Sequence, residues 1–439
     1  MKRILLIVTM VPMFLLALEF DEARFLLSRS GLGASLQEIE NLKPLKYDQA
    51  IRQLIEQSDN KAQTPYPQWY GTSLPKMRNY KELSAKEKQA LRKLRRQRWR
   101  QLQLWWINEM SVTTSPITEK MTLFWHNHFT SQLPKVKWPS LMLRQNILLR
   151  REALGNFATL LKEISKDPAM LIYLDNISNK KSHPNENFAR ELLELFTLGE
   201  GHYSESDIKA AAKAFSGWTV DRKNGNFKFD PKVHDFGEKT FLGKTGRFNG
   251  NDIIDIILEQ NRTAEFITEK FYREFISYEI DETQVRQIAA TFRKSGYKIK
   301  VLLYELLTSN AFVNSTNRTF LIKSPIELVV GTVRTFNLQT NLGKYLFKAT
   351  RAMGQEIFNP PNVKGWSGEK SWITTGSLAE RRSFLKKAAK AVNKTYQNST
   401  GFTTKELEKW LLVTDRLTQT AVTKKLFSSI LLDPLYNLK

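Results

Sequence analysis

The stretch Asn185-Glu-Asn-Phe-Ala-Arg-Glu-Leu-Leu-Glu-Leu-Phe-Thr-Leu-Gly199 decides the class of the fold. Its apolar residues return at three- and four-residue intervals, the period of a helix with one buried face. Asn185 is the expected cap. Gly199 follows the last apolar residue, where a chain leaving a helix turns left-handed most easily without a side chain. At 100° per residue Phe188, Leu192, Leu195 and Phe196 share one face. Asn187, Glu191 and Glu194 lie within about 60° of one another, with Arg190 and Glu186 beside them. That polar face carries no lysine, although the chain is rich in it.

The same pattern runs outward in both directions. Upstream, Phe25, Leu26, Leu36, Ile39 and Leu42 lead to Ile51, Leu54 and Ile55 at helical spacing. A polar connector follows at 60–83, and Ser84 with Glu87 forms a capping box for a long helix. Leu91, Leu94, Leu102 and Trp105 make its stripe. Arg92, Arg95, Arg96 and Arg100 read as a solvated face whose stems cover apolar neighbours, with an anionic surface as the alternative. Asp167-Pro168 is a second helix start. Downstream, Ser204 with Asp207 opens a helix that Gly217 ends. Residues 220–249, with alternating Phe227 and Phe229, suit a small hairpin or structured loop. Helices resume from Ile253 to about Leu346, a Pro/Gly-rich loop spans Phe358 to Gly376, and two or three helices finish the chain. With no repeats and no linker, the expectation is an all-α protein whose residues 19–439 form one large helical domain.

The chain opens Met1-Lys-Arg, continues as an apolar run from Ile4 to Leu18 and then turns acidic at Glu19 and Asp21. This is the layout of a secretory signal peptide over residues 1–18. The run is shorter than the ~20 residues of a spanning helix. The expected destination is periplasmic or extracellular, with membrane tethering if the signal stays uncleaved. Cysteine is absent, which excludes disulfides, thiolate metal sites, a cysteine nucleophile and a lipoprotein anchor. The formal net charge is +23, and removing Lys2 and Arg3 lowers it by two. Such a field favours anionic partners; outside the inner membrane these are lipid headgroups, lipopolysaccharide or acidic glycans rather than nucleic acid.

All five histidines fall between positions 126 and 234. His126 and His128 are two apart, so on a helix they point to opposite sides and only one, His128, is expected in any site. His234-Asp235 follows Asp230-Pro231 in the irregular segment. His128, His234 and Asp235 are therefore the expected ligands of a divalent metal such as zinc, manganese or iron. Glu191 or Glu194 would act as ligand or general base, and Arg190 and Asn187 would hold an anionic group or stabilise developing charge. Each has a plainer alternative. The carboxylates can pair with Arg190, and a histidine in a last helical turn can meet the free carbonyls. No phosphate loop, dinucleotide fingerprint or Gly-x-Ser-x-Gly elbow is present. Trp366 and Trp372 are expected to serve packing before sugar stacking.

Several segments resemble one known family. They are Glu22-Ala-Arg-Phe-Leu-Leu-Ser-Arg-Ser-Gly-Leu-Gly33, Phe124-Trp-His-Asn-His-Phe129, Asn185 to Gly199, Phe215-Ser-Gly-Trp218, His234-Asp235, Lys323-Ser-Pro-Ile-Glu327 and Asn359-Pro-Pro-Asn-Val-Lys-Gly-Trp366. Over about residues 20 to 385 the chain is similar to the bacterial domain of unknown function 1800. The resemblance implies export, a helical fold and a frequent genomic neighbour, also exported, with a sulfatase-like fold, with no established activity. His126, Asn127, His128, Glu186, Asn187, Arg190, Glu191, Glu194, His234 and Asp235 fall on its motif positions; His183 and His202 do not and are set aside. Two functional expectations follow. One is a metal-binding hydrolase acting on an extracytoplasmic polymer. The other is a non-catalytic basic scaffold for an anionic surface or the sulfatase-like partner.

Overall fold

The computed structural model describes residues 17–71, 83–314, 321–338, 343–396, 402–414 and 426–439. The apolar run through residue 16 and residues 72–82 of the connector lie outside the described residues. Ala17 and Leu18, the last residues of the apolar run, touch the helical body. Ala17 pairs with Lys46 in an isolated bridge, the Leu18 N–H donates to Leu45 O at 2.9 Å, and the Leu18 side chain is buried.

The body is all-α, as its periodicity predicts. Ser84 and Glu87 close their capping box at the head of the helix Ala85–Val112. This helix enters the core only from Leu102 onward, through Trp105, Trp106, Ile107 and Met110. Its arginine-bearing half stays near the surface, and Arg95 lies 4.2 Å from the Trp138 ring centroid, a cation over apolar surface as expected. The helix Pro116–His128 is the centre of the molecule, with Ile117, Met121 and Trp125 buried. It packs on Pro139–Arg151, to which the buried pair Arg150–Glu119 ties it at 2.6 Å. Pro325–Thr335 lies against Ala85–Val112.

The family-like segment ending in Gly33 is explained by packing. Arg29 is fully buried and donates to Phe275 O and Ile276 O at 3.0 and 2.9 Å, capping the end of the helix Asn261–Phe275. Gly33 adopts φ +86°, and a Cβ there would stand 2.6 Å from the Gly331 carbonyl oxygen. Backbone presses on backbone, so only glycine fits. One buried apolar cluster extends from Leu18 to Tyr436, and Trp410 Nε1 donates to Ala34 O at 3.1 Å, joining the C-terminal helices to the N-terminal ones.

The insertion near 220–249 is richer than one hairpin. It holds two antiparallel ribbons, β1 (Trp218–Val220) with β2 (Phe227–Phe229) and β3 (Lys239–Phe241) with β4 (Lys244–Gly246). The helix that decides the class is also irregular. Asn187–Glu191 is α-helical, then Leu192–Thr197 widens into a π-helical turn. The Leu198 N–H reaches Leu193 O at 2.9 Å. Gly199 ends the element at φ +82°.

Candidate functional site

The residues singled out by sequence fall into distinct environments. His128 Nε2–H donates to Phe196 O at 3.1 Å, a carbonyl inside the π-helical turn. Its ring is packed among Phe124, Trp125, Phe129 and Phe196. Burial, helped by the Lys270 charge, pushes its pKa down to about 3, so the ring is neutral. His126 faces elsewhere, as the spacing requires. Its Nε2 accepts the Phe358 N–H at 3.2 Å, and burial lowers its pKa to about 3 as well. His234 Nδ1–H donates to Ser216 O at 2.8 Å, with its ring between Phe229 and Phe236. Asp235 Oδ1 accepts from Gly237 N–H at 2.8 Å and lies 3.6 Å from Lys239 Nζ. Among the described residues, no three His, Asp or Glu side chains are grouped to hold a metal ion. His128 and the His234–Asp235 pair are thus not brought together into a ligand set.

The acidic helix is similarly divided. Arg190 makes a bidentate pair with Glu205 at 2.8 and 2.9 Å and a third bond to Glu186 at 3.2 Å. Asn187 Nδ2 donates to Leu174 O at 3.1 Å. Glu194 accepts the Tyr203 hydroxyl at 3.1 Å. Glu191 differs: half-buried, its carboxyl is raised above the usual range first by burial and then by Glu194, with Lys364 and Arg190 pulling the other way.

The Pro/Gly-rich loop docks on the end of the central helix. Asn127 Oδ1 accepts the Trp366 N–H at 2.7 Å, Leu133 N–H reaches Phe358 O at 2.9 Å and Gln132 Nε2 reaches Pro360 O at 2.6 Å. Gly365 sits at φ +79°, where a Cβ would be 2.3 Å from Asn127 Oδ1. Trp366 and Trp372 are buried, the packing role expected of them.

Between this loop, the central helix and the helix Asn261–Phe275 lies a polar cleft of about 320 Å³. At its base, Lys120 meets Glu274 at 2.8 Å and Glu327 at 2.6 Å. Lys439 meets Glu274 at 3.2 Å and also pairs with Glu327. Burial alone would raise both carboxyls, but the two lysines outweigh it and hold both below the usual range. The base is therefore an ionised, balanced square.

The rim is unbalanced. Lys270, Arg273 and Lys364 line it against one carboxylate, Glu369. Neither Lys270 nor Arg273 makes an ion pair among the described residues, and Lys364 has a loose one with Glu200 at 3.8 Å. The Lys270 ammonium is held below the usual lysine range by burial and then by repulsion from Arg273 and Lys364, against the pull of Glu269. His128 and Asn127 stand in the same wall.

A sequence profile of the family described as "Protein of unknown function (DUF1800)" matches residues 25–436. The chain belongs to the DUF1800 family. No curated protein and no solved structure matches it. In this DUF1800 protein, five of the family-like segments reach the cleft. Phe124, Asn127 and His128 come from one, Ser324 and Glu327 from the second, Val363, Lys364 and Trp366 from the third, and Leu32 and Leu195 singly from the two others. Sequence reasoning passed over Lys120, Lys270, Arg273, Glu274 and Lys439. Lys120 and Glu327 lie 207 positions apart, and no local spacing announces their meeting. The available signal was that Lys323–Glu327 and Asn359–Trp366 carried family-like residues with no assigned role.

Proposed function

We propose that this protein is exported and takes an acidic polymer, of the acidic-glycan class, into the cleft between the central helix and the Pro/Gly-rich loop. One observation carries the reading: Lys270 and Arg273, which make no ion pair among the described residues, stand over a cleft whose base pairs two lysines with two carboxylates. Like charges gathered beside one another repel, and an anion binding among them removes that cost. The apolar leader accords with export. Among the described residues no helix is long and apolar enough to cross a membrane.

A panel of fluorescent polymers tests the proposal by anisotropy: sulfated heparin, carboxylated alginate and neutral dextran. The expected result is salt-sensitive binding to at least one acidic polymer and none to dextran. Equal binding to dextran, or no binding to either acidic polymer, would refute it.

A catalytic reading is favoured by one observation, the raised carboxyl of Glu191 within the field of Lys364. A carboxyl held above its usual range is better placed to donate a proton to a leaving oxygen. Hydrolysis would appear as new reducing ends that Glu191→Gln abolishes while binding persists.

A further inference from the structure

The ribbon insertion carries a second surface, away from the charges of the cleft. Six large apolar side chains are exposed among the described residues, and three belong to this insertion and the loop packed on it: Phe236 at 61%, Ile177 at 40% and Phe229 at 39%. The segments that hold them are joined. The Lys181 N–H donates to Val233 O at 2.8 Å and the Gly217 N–H to Asn179 O at 3.1 Å. His234 spaces the two phenyls, its ring centroid 5.1 Å from Phe229 and 4.6 Å from Phe236. The rings are thus built into position.

Around them the charge is basic. Residues 177–183 and 221–239 hold seven Lys or Arg against four Asp or Glu. Lys180, Lys181, Lys228 and Lys232 are exposed. Three of the four carboxylates fold back onto their own loops: Asp221 accepts from Lys223 N–H, Asp230 from Lys232 N–H and Asp235 from Gly237 N–H.

We infer that this face docks on an anionic lipid surface, with Phe236 and Phe229 entering the boundary of the acyl region and the lysines facing headgroups. Exposed apolar rings in a lysine-rich insertion are the composition of an interfacial anchor. Phenyl rings have no polar handle for a hydroxyl-rich glycan and gain most from an apolar medium. Charge complementarity sets the lipid: zwitterionic headgroups offer the lysines nothing to neutralise.

The absence of cysteine permits a local reporter, which separates this face from the apolar N-terminal run. Glu238→Cys in the full chain, labelled with an environment-sensitive nitrobenzoxadiazole dye, is titrated with vesicles of phosphatidylcholine alone or containing phosphatidylglycerol. The same label at Leu378→Cys, an exposed site elsewhere, is the control. A blue shift at position 238 with anionic vesicles only, absent at 378, is expected. Adding Phe236→Ser, or Lys228→Glu with Lys232→Glu, should raise the lipid needed for half the shift by about tenfold or more. An unchanged spectrum at 238, equal shifts at both labels, or a shift insensitive to both sets of substitutions would overturn the inference. So would a response at 238 to heparin without one to vesicles, which would assign the face to an acidic glycan. Failure of cleft binding leaves this test unaffected, because none of its substitutions touches the cleft.

Discussion

At the scale of single residues, His126 and His128 act as neutral, buried hydrogen-bonding groups. His126 accepts from the Phe358 N–H and His128 donates to Phe196 O, so the two rings hold opposite tautomers. Unfolded imidazoles take up protons below about 6.5, whereas these two resist until about 3. Their contribution to stability is therefore complete above 6.5 and lost as the pH falls from there towards 3. Asp167 runs the other way. Burial raises its carboxyl to about 6, against bonds from Met170 N–H and Gln145, so its protonated form is favoured on folding and its contribution fades as the pH rises from about 4 to 6. Denaturant titrations across pH 3–7 should show stability rising with pH. His126→Phe should flatten that slope, and Asp167→Asn should steepen it between pH 4 and 6. A slope unchanged by both would contradict the assignment. Gly365→Ala is expected to cost about 2 kcal/mol or more, through φ strain and the clash with Asn127, and to lower the melting temperature by several degrees. An unaltered melting temperature would mean the loop is not pinned as described.

At the scale of elements, the balanced square at the cleft base ties three helices together. Glu327→Gln leaves Lys120 and Lys439 sharing Glu274 alone, and breaking a buried pair in this way costs about 3 kcal/mol. Glu327→Gln with Lys120→Met should recover part of that loss in urea unfolding; a double variant no more stable than the single would argue against direct coupling. The helices were legible because apolar spacing, capping boxes such as Ser84–Glu87 and the closing Gly199 are local signals. The π-helical turn at Leu192–Thr197 was not. A wheel at 100° assumes regularity, and the widened turn is held by tertiary contacts such as His128 to Phe196 O. The polar face was legible as polar but not as engaged. The partner of Arg190, Glu205, lies on the next helix, so spacing within one helix could not show it. The closeness of Glu191 to Glu194 was legible from spacing, but not the burial that chiefly raises the Glu191 carboxyl.

At the scale of the molecule, the single all-α body followed from the unbroken helical pattern, but the cleft arises only when helices distant in sequence converge. Its charge excess sits within a chain of net charge +23, so long-range attraction should speed the approach of anionic ligands, and rim cations should fix where they settle. Raising the salt therefore weakens the cleft's binding, most steeply for exposed rim charges. The most direct measurement is an anisotropy titration of the best acidic polymer against wild type and Lys270→Glu with Arg273→Glu, each at 50 and at 300 mM salt. The predicted result is a loss of tenfold or more in affinity at low salt for the variant, at unchanged melting temperature, and a shallower salt dependence. Equal affinities and equal salt dependence in the two proteins would show that the ligand binds elsewhere on this basic surface, and would contradict the cleft as the functional site.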